Sequence, residues 1–227
     1  MIDDRPFEWD DALVKATMRD GRTRFSVYRP TKTVVVLGRG SDPAVEIDQE
    51  TVHEDGVPLL RRRGGGCSVV LDPGNVIVSV VLPLPGFGGI KRAFGGISNW
   101  LITALDRSGV EKVHQAGISD LAIGDRKIGG ACIYRTRGIL YYSTTLLFQP
   151  DIGLAERYLK HPPREPAYRD GRGHRAFMGS IAESANLSDI ESFATSVEQF
   201  SNQSLMDLES SLGVRRTSTK QTTEVLA

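Results

Sequence analysis

The sequence lacks a charge imbalance. Its 227 residues contain 28 Lys and Arg against 28 Asp and Glu, so the formal net charge is zero. A protein that attracts nucleic acid or an anionic membrane through its overall field needs an excess of positive charge. We therefore predict neither a nucleic-acid partner nor a membrane partner, and we expect any functional positive charge to be local.

Long apolar runs and a cysteine framework are also missing. No apolar run approaches the ~18 residues that span a bilayer, and no secretory signal is recognisable, so we expect a cytoplasmic protein. The only two cysteines, Cys67 and Cys132, fit no disulfide scaffold and no metal-ligand spacing, and we expect both to be reduced. The four histidines have no nucleophile or metal ligand at useful spacing and are interpreted as bystanders: His53, His114, His161 and His174.

What is present suffices for one folded domain, which we assign to residues 1–213, followed by a polar, disordered tail at residues 214–227. Apolar spacing predicts helices near residues 7–21, 48–56, 90–107, 154–160 and 187–212. β-Branched runs and turn signals predict strands near residues 24–30, 33–39, 57–63, 67–71, 75–85, 131–136 and 140–148, and a hairpin over residues 120–130. Strict βαβ alternation is absent, which indicates an α+β fold with a mixed, largely antiparallel sheet flanked by helices.

Residues 61–75, RRRGGGCSVVLDPGN, place three arginines directly before three glycines. Glycine lets backbone N–H groups approach an anion, and arginine offers a planar fork of donors, so the pattern is compatible with phosphate binding. The Walker and dinucleotide-binding patterns do not fit, because the last glycine is followed by a predicted strand and not by a helix. The residues alone leave a second interpretation open, a β-turn with solvated arginines.

Four ordered blocks of the sequence resemble the lipoate–protein ligase branch of the biotin/lipoate ligase family. The glycine-rich stretch resembles the signature RRxxGGGxVxHDxGN, with Arg61 and Arg62 on the paired arginines and Cys67 in place of the third glycine. VVVLGRGSDP resembles the family's VVxxGRxQNP, SDLAIGDRKIGGA its NDLxxxGRKxSGSA, and YYSTTLLFQPD its HHGTLLxxxD. Four blocks in the right order are far more specific than any single one.

The resemblance implies a fold related to the biotin ligases and class II synthetases, and a two-step reaction. Lipoate would attack the α-phosphate of ATP, taken with Mg²⁺, to give lipoyl-AMP and pyrophosphate. A lysine of a lipoyl acceptor domain would then attack lipoyl-AMP to form an amide. Because long single-chain ligases carry a further domain of about a hundred residues, we also expect a separate small accessory polypeptide to be needed for efficient adenylation.

The resemblance also assigns candidate site residues. Lys127 would stabilise negative charge on the acyl carbonyl and phosphate as the catalytic residue, Arg62 and Arg61 would bind phosphates, and Gly74 and Asn75 would turn a loop and supply amide hydrogen bonds. The remaining candidates for substrate or nucleotide binding are Gly64, Gly65, Gly66, Asp72, Asp120 and Gly130. Without the family resemblance, Lys127 can be interpreted as an exposed lysine of a hairpin, and Asp120 as a carboxylate that begins a strand.

Departures from the family pattern keep other functions open. Leu71 stands where the family usually has His, Ser119 replaces Asn, and Tyr141 with Tyr142 replaces a His pair, which permits a non-catalytic member that only binds acyl-adenylate or an acceptor. Arg39, at the predicted end of a strand, could equally be a surface cation.

A second alternative is an octanoyl- or lipoyl-transferase of the same fold, which carries the acyl group on a cysteine as a thioester. The segment KVHQAGISD before the GRK block contains no cysteine, and Cys132 is interpreted as a small strand residue. A biotin ligase fits less well, because RRRGGGC does not match the GRGRRG-type loop of those enzymes.

Overall fold

The computed structural model describes residues 4–84 and 89–214 of the chain. In this part the strands are β1 Arg5–Pro6, β2 Arg24–Tyr28, β3 Val34–Leu37, β4 Leu59–Arg61, β5 Val69–Leu71, β6 Asn75–Pro83, β7 Val113–Ala116, β8 Asp120–Ile123, β9 Arg126–Thr136 and β10 Ile139–Leu147. The α-helices are α1 Asp11–Asp20, α2 Pro43–Glu46, α3 Gln49–Glu54, α4 Ile90–Arg107, α5 Ile152–Tyr158, α6 His174–Phe177, α7 Ile181–Ala185, α8 Ile190–Gln203 and α9 Leu205–Leu212. A 3₁₀ turn covers Ala167–Arg169. Apart from Val214, the tail predicted at residues 214–227 lies outside the described residues.

Six strands form a fully antiparallel sheet in the order β2-β6-β10-β9-β8-β7. Its centre is the nine-residue pairing of β6 with β10, which runs from Ile139 opposite Pro83 to Leu147 opposite Asn75. Helices α4, α8 and α9 cover one face, where the largest buried cluster of apolar side chains lies. Helix α1 packs on the other face beside β6 and β10, so the long β-branched run of β6 is buried on both sides.

Four strands form a second, mixed sheet in the order β1-β4-β3-β5. Strand β4 runs parallel to β1 and to β3, whereas β5 is antiparallel to β3. Val34 and Val36 of β3 pack in a cluster with Ile77 of β6, and Val35 and Leu37 pack in another with residues of α3 and α5. Both faces of β3 are therefore covered, which explains why four apolar residues follow one another there.

The predicted α+β class is confirmed, and several boundaries are corrected. The single helix expected over residues 187–212 is two helices that meet at Ser204, and the apolar spacing continues across the break because both helices pack on α4. The hairpin with Gly124 at its turn is confirmed. Its second strand does not stop at the glycine pair but continues to Thr136 as one strand, β9.

Within residues 4–84 and 89–214, no helix is both long enough and apolar enough to span a bilayer.

Candidate active site

Lys127 lies at the start of β9 and forms an ion pair with Asp120 of β8, with 2.8 Å between Nζ and Oδ1. A shift in register opposite Leu121 and Ala122 skips one residue of β9, Ile128. Such a bulge redirects the side chains on one side of it relative to the other. As a result Lys127 lies over Gly130, where a Cβ atom would come within 2.8 Å of Nζ. Gly130 is therefore the small residue that leaves space for the ammonium group.

Tyr168, in the 3₁₀ turn, completes this arrangement. Its hydroxyl donates to the second carboxylate oxygen of Asp120 at 2.9 Å. Burial, reinforced by the charge of Asp120, raises the pKa of Tyr168, so the hydroxyl remains a donor at neutral pH. With one oxygen on Lys127 and the other on Tyr168, Asp120 is held in one orientation and fixes the position of the ammonium group. The sequence analysis missed Tyr168, because residues 161–175 carry no periodicity that would place them beside β8.

The glycine-rich loop packs on the same face of β9, two residues further along. A Cβ atom on Gly64 would lie 2.7 Å from Sγ of Cys132, so the loop contacts this strand directly. Cys132 and Gly130 point to the same side of β9 and are separated by about 7 Å along it. Gly64 is buried, whereas Gly65 and Gly66 are exposed. The loop and the Lys127 ammonium group therefore lie over neighbouring positions on one face of β9, and the exposed backbone of the loop follows directly after Gly64.

Arg62 holds the loop in shape. Its guanidinium donates to the carbonyl oxygens of Gly65 at 2.8 Å, Cys67 at 2.7 Å and Val36 at 3.2 Å. The contact expected with phosphates stays a prediction, and the contacts observed are with the loop itself. Gly66 has φ +91°, a conformation that glycine adopts without strain.

A buried carboxylate, Glu46 of α2, anchors the far end of the loop. It accepts hydrogen bonds from the backbone N–H of Ser68 at 2.6 Å, from its hydroxyl at 2.7 Å and from the hydroxyl of Ser41 at 2.8 Å. These contacts join the glycine-rich block to the VVVLGRGSDP block. Sequence reasoning missed Glu46, because a single glutamate in a short helix has no recognisable spacing.

Arg61 stabilises the turn after β3. Its Nη1 donates to the carbonyl oxygens of Gly38 at 2.9 Å and Ser41 at 3.0 Å, and its Nε pairs with Asp4. A cavity of about 630 Å³ adjoins it. Its lining includes five arginines, Arg39, Arg61, Arg62, Arg63 and Arg135, together with Asp4, Pro6, Tyr134 and Thr136. Positive charge is thus concentrated at this end of β9, although the chain as a whole is neutral.

Asp72, Gly74 and Asn75 form a separate turn between β5 and β6. Asp72 accepts from the backbone N–H of Gly74 at 2.6 Å and from the side-chain amide of Asn75 at 3.2 Å. A Cβ atom on Gly74 would lie 1.9 Å from the carbonyl oxygen of Gln149, so only glycine fits there. Burial raises the pKa of Asp72. The amide of Asn75 is fully buried inside this turn, and its expected contact with substrate stays a prediction.

Three of the residues that depart from the family pattern, Leu71, Tyr141 and Tyr142, are buried in the core. Leu71 is 3% exposed and packs with Val34 and Ile77. The Tyr141 hydroxyl donates to Asp10 at 2.6 Å, whereas the Tyr142 hydroxyl lies 3.4 Å from that of Ser98 on the opposite face of the sheet. Both tyrosines have buried partners and contribute to packing.

The contacts of the cysteines and histidines are with residues other than Lys127 and Asp120. Both thiols are free, as expected, and burial raises the pKa of Cys132 above its ordinary value. His161 pairs with Glu165, His174 lies 3.3 Å from the carbonyl oxygen of Lys160, and His53 and His114 are exposed. No three His, Cys, Asp or Glu side chains within residues 4–84 and 89–214 are grouped so that they could hold a metal ion.

The site therefore combines a fixed ammonium group, exposed glycine backbone and a nearby concentration of arginines along one face of β9. An ammonium group held in place by a carboxylate can stabilise negative charge that develops on an adjacent oxygen without reorganising during the reaction. Open backbone at Gly65 and Gly66 lets a ligand approach closely. This combination suits a substrate with a phosphoryl or carboxyl group.

Several proteins of known family are similar to this chain. A lipoate–protein ligase from Streptococcus pyogenes is 31% identical over 150 residues, 66% of this chain and 43% of the relative. Lipoate-protein ligase A from Psychrobacter cryohalolentis is 27% identical over 176 residues, 77% of this chain and 49% of the relative. The chain thus spans about half the length of the curated relatives it matches.

Solved structures agree in fold. A crystal structure of lipoate-protein ligase A bound with ATP superposes with a TM-score of 0.72 at 19% identity, covering 89% of this chain and 84% of the other. A bi-partite lipoate protein ligase from Thermoplasma acidophilum, described with its E2 lipoyl domain, gives a TM-score of 0.72 at 19% identity over 96% of this chain and all of the other.

The profile of the family described as the lipoyl protein ligase A/B catalytic domain matches residues 4–202, which is most of the chain. The four sequence blocks, the two-sheet fold and this match agree, and the chain belongs to the lipoyl protein ligase A/B catalytic domain family.

Proposed function

We propose that the chain catalyses ATP-dependent ligation of lipoate to a protein lysine. In the first step a carboxylate oxygen of lipoate attacks the α-phosphorus of ATP, and pyrophosphate leaves. In the second step a lysine ε-amine of the acceptor attacks the acyl carbonyl of lipoyl-AMP, AMP leaves, and the amine gives up a proton. The observation that carries the proposal is the Lys127 ammonium group, held by Asp120 over Gly130 beside the exposed backbone of Gly65 and Gly66.

The acyl-adenylate would lie across the glycine-rich loop, between Lys127 and the arginine-lined cavity. Gly130, Cys132 and Tyr134 share one face of β9, and four residues of strand span about 13 Å. This distance suits an extended nucleotide with its phosphates. Lys127 would contact the α-phosphate and acyl carbonyl, and Arg61 and Arg62, on the cavity side, would attract the remaining phosphates.

ATP would enter with Mg²⁺ already on its phosphates. Magnesium in nucleotide sites usually keeps several waters and is held by substrate phosphates and one or two carboxylates. A dedicated cluster of protein ligands is therefore unnecessary for Mg²⁺ that arrives on the nucleotide.

The acceptor would be a lipoyl domain, and a small accessory polypeptide would complete the adenylating enzyme. The support comes from the archaeal ligase of similar fold, which is described as bi-partite and together with its E2 lipoyl domain. The acceptor lysine must reach the acyl carbonyl beside Lys127, at the exposed side of the loop.

We expect the purified chain to transfer lipoate from synthetic lipoyl-AMP to an apo lipoyl domain without help. Ligation from lipoate and Mg-ATP should be weak alone and should rise when a matching accessory polypeptide is added. Intact-mass measurement of the acceptor reads both reactions as the same lipoyl increment. An increment from a lipoylated or octanoylated carrier without ATP would contradict the ligase and favour a transferase.

Replacement of both cysteines by serine tests the same distinction. Burial keeps the Cys132 thiol protonated at neutral pH, and a protonated thiol is a poor nucleophile. We therefore expect the Cys67→Ser, Cys132→Ser protein to transfer the lipoyl group within about tenfold of the wild-type rate, equivalent to ~1.4 kcal/mol of barrier. Loss by several orders of magnitude, or a thioester trapped on either cysteine of the wild type, would contradict the proposal.

A further inference from the structure

Arg169 is an almost completely buried arginine, 5% exposed, at the end of the 3₁₀ turn beside the candidate site. Its Nε donates to the carbonyl oxygen of Arg172 at 2.9 Å and lies 3.4 Å from a carboxylate oxygen of Glu165. The guanidinium stacks over Phe177 at 4.8 Å from the ring centroid. One edge of the guanidinium is thus fixed by protein contacts.

A second nitrogen of the guanidinium, next to Nε, is not satisfied. Nη2 of Arg169 is buried and has no hydrogen-bond partner among the residues that the structure describes. A buried donor left without a partner costs roughly 1–3 kcal/mol, and more for a charged group. Such a group calls for a specific explanation, for instance a ligand that supplies the missing acceptor.

The location of Arg169 indicates which ligand this would be. The adjacent Tyr168 donates to Asp120, the partner of Lys127. On its other side, the thiol of Cys67 lies 3.6 Å from the carbonyl oxygen of Arg164, so the segment that carries Arg169 borders the end of the glycine-rich loop. Arg169 therefore belongs to a segment that contacts both Asp120, the partner of the ammonium group, and the end of the glycine-rich loop.

The charges around Arg169 do not fully compensate its burial. Desolvation lowers the pKa of the guanidinium from its ordinary value, although Glu165 and Asp120 act in the opposite direction. The nearby Arg172 pairs with a different acid, Asp125, at 2.7 Å. An anion bound here would supply the missing negative charge as well as the missing acceptor.

We propose that Arg169 is a further substrate-binding residue, whose free Nη2 donates to the phosphoryl group that Lys127 contacts. The inference rests on the proposed function and extends it to a residue outside the four sequence blocks. Lys127 and Arg169 would then hold the phosphoryl group of the acyl-adenylate from two sides. An anchored guanidinium adds geometric selectivity for a tetrahedral anion that a lysine alone does not provide.

The test compares AMP with adenosine, which lacks the phosphate, in calorimetric titrations without divalent metal. Arg169→Met should weaken AMP binding at least tenfold and leave adenosine binding unchanged. Because an uncompensated buried cation is removed, the melting temperature without ligand should stay level or rise. Arg175→Met is the matched control, since Arg175 lies on the same segment but is exposed and paired with Glu156, and its AMP affinity should not change.

Four results would overturn this role. Unchanged AMP affinity in Arg169→Met excludes the contact, and equal losses for AMP and adenosine with a lower melting temperature mean a structural role only. Arg169→Lys keeps the charge and should still weaken AMP binding about threefold to tenfold; if the Met variant does not fold, full affinity in Arg169→Lys overturns the proposal. A wild-type chain that binds AMP no better than adenosine also overturns it. AMP binding by a chain that lipoylates no acceptor, either from lipoyl-AMP or from lipoate and Mg-ATP with the accessory polypeptide, contradicts the ligase function alone.

Discussion

Lys127→Ala is expected to slow transfer from lipoyl-AMP about a hundredfold or more. Negative charge grows on the oxygens around phosphorus in the first step and on the acyl carbonyl in the second, and a fixed ammonium group stabilises both transition states. Loss of one such donor typically costs ~3 kcal/mol of barrier. The measurement is single-turnover transfer to an apo lipoyl domain, with nucleotide affinity expected to fall by less than the rate.

The structure adds a stability effect that the sequence alone did not predict. An exposed hairpin lysine would contribute little to folding, but Asp120 is only 7% exposed and in Lys127→Ala keeps Tyr168 as its one side-chain partner. Removing one member of a buried ion pair destabilises a protein because the other charge stays buried. We therefore expect Lys127→Ala to melt at a lower temperature than the wild type.

A double variant separates chemistry from stability. Lys127→Met combined with Asp120→Asn removes both charges, so the melting temperature should recover while the transfer rate stays low. Lys127→Arg should rescue the rate poorly, because the guanidinium does not place its charge at the same point. Lys160→Ala is the control for general loss of a lysine, since Lys160 is exposed and its ammonium group donates to the carbonyl oxygen of Ala44. Near wild-type transfer by Lys127→Ala would contradict the assigned role and the ligase mechanism with it.

The sequence predicted the parts of the site that are local in the chain. The glycine-rich stretch and the GDRK hairpin each carry their own turn chemistry, and the order of the blocks identified the family. Lys127 and Gly130 could be placed together because they lie on one strand. Their convergence on one face depends on the bulge in β9, which residue patterns do not reveal.

Contacts between distant segments could not be predicted in this way. Glu46 meets Ser68 across 22 residues, and Tyr168 meets Asp120 across 48. Neither contact leaves a periodic signal, because each depends on how the two sheets and the proline-rich segment pack. The role expected for Arg62 illustrates the same limit, since family resemblance indicated the residue but not its contacts with the loop carbonyls.

Arg62→Ala is expected to reduce transfer from lipoyl-AMP by about two orders of magnitude. Its guanidinium bridges the carbonyl oxygens of Val36, Gly65 and Cys67, and hydrogen bonds from a charged donor contribute roughly 1.5–3 kcal/mol each. Without them the glycine-rich loop should lose its fixed shape, and a displaced binding surface lowers the rate even when the reacting groups are intact. Hydrogen exchange of residues 64–68 should accelerate in the same variant.

The neighbouring arginine supplies the control. Arg63 is exposed and makes a single 3.3 Å ion pair with Asp11, and exposed ion pairs contribute only about 0–1 kcal/mol. Arg63→Ala should therefore lower transfer far less than Arg62→Ala does and leave exchange in the loop unchanged. Equal losses in both variants would mean that the arginines act through their summed charge. Loss in Arg62→Ala without faster exchange would instead mean that Arg62 contacts the phosphates directly, because then the loop keeps its order and only the substrate loses a donor.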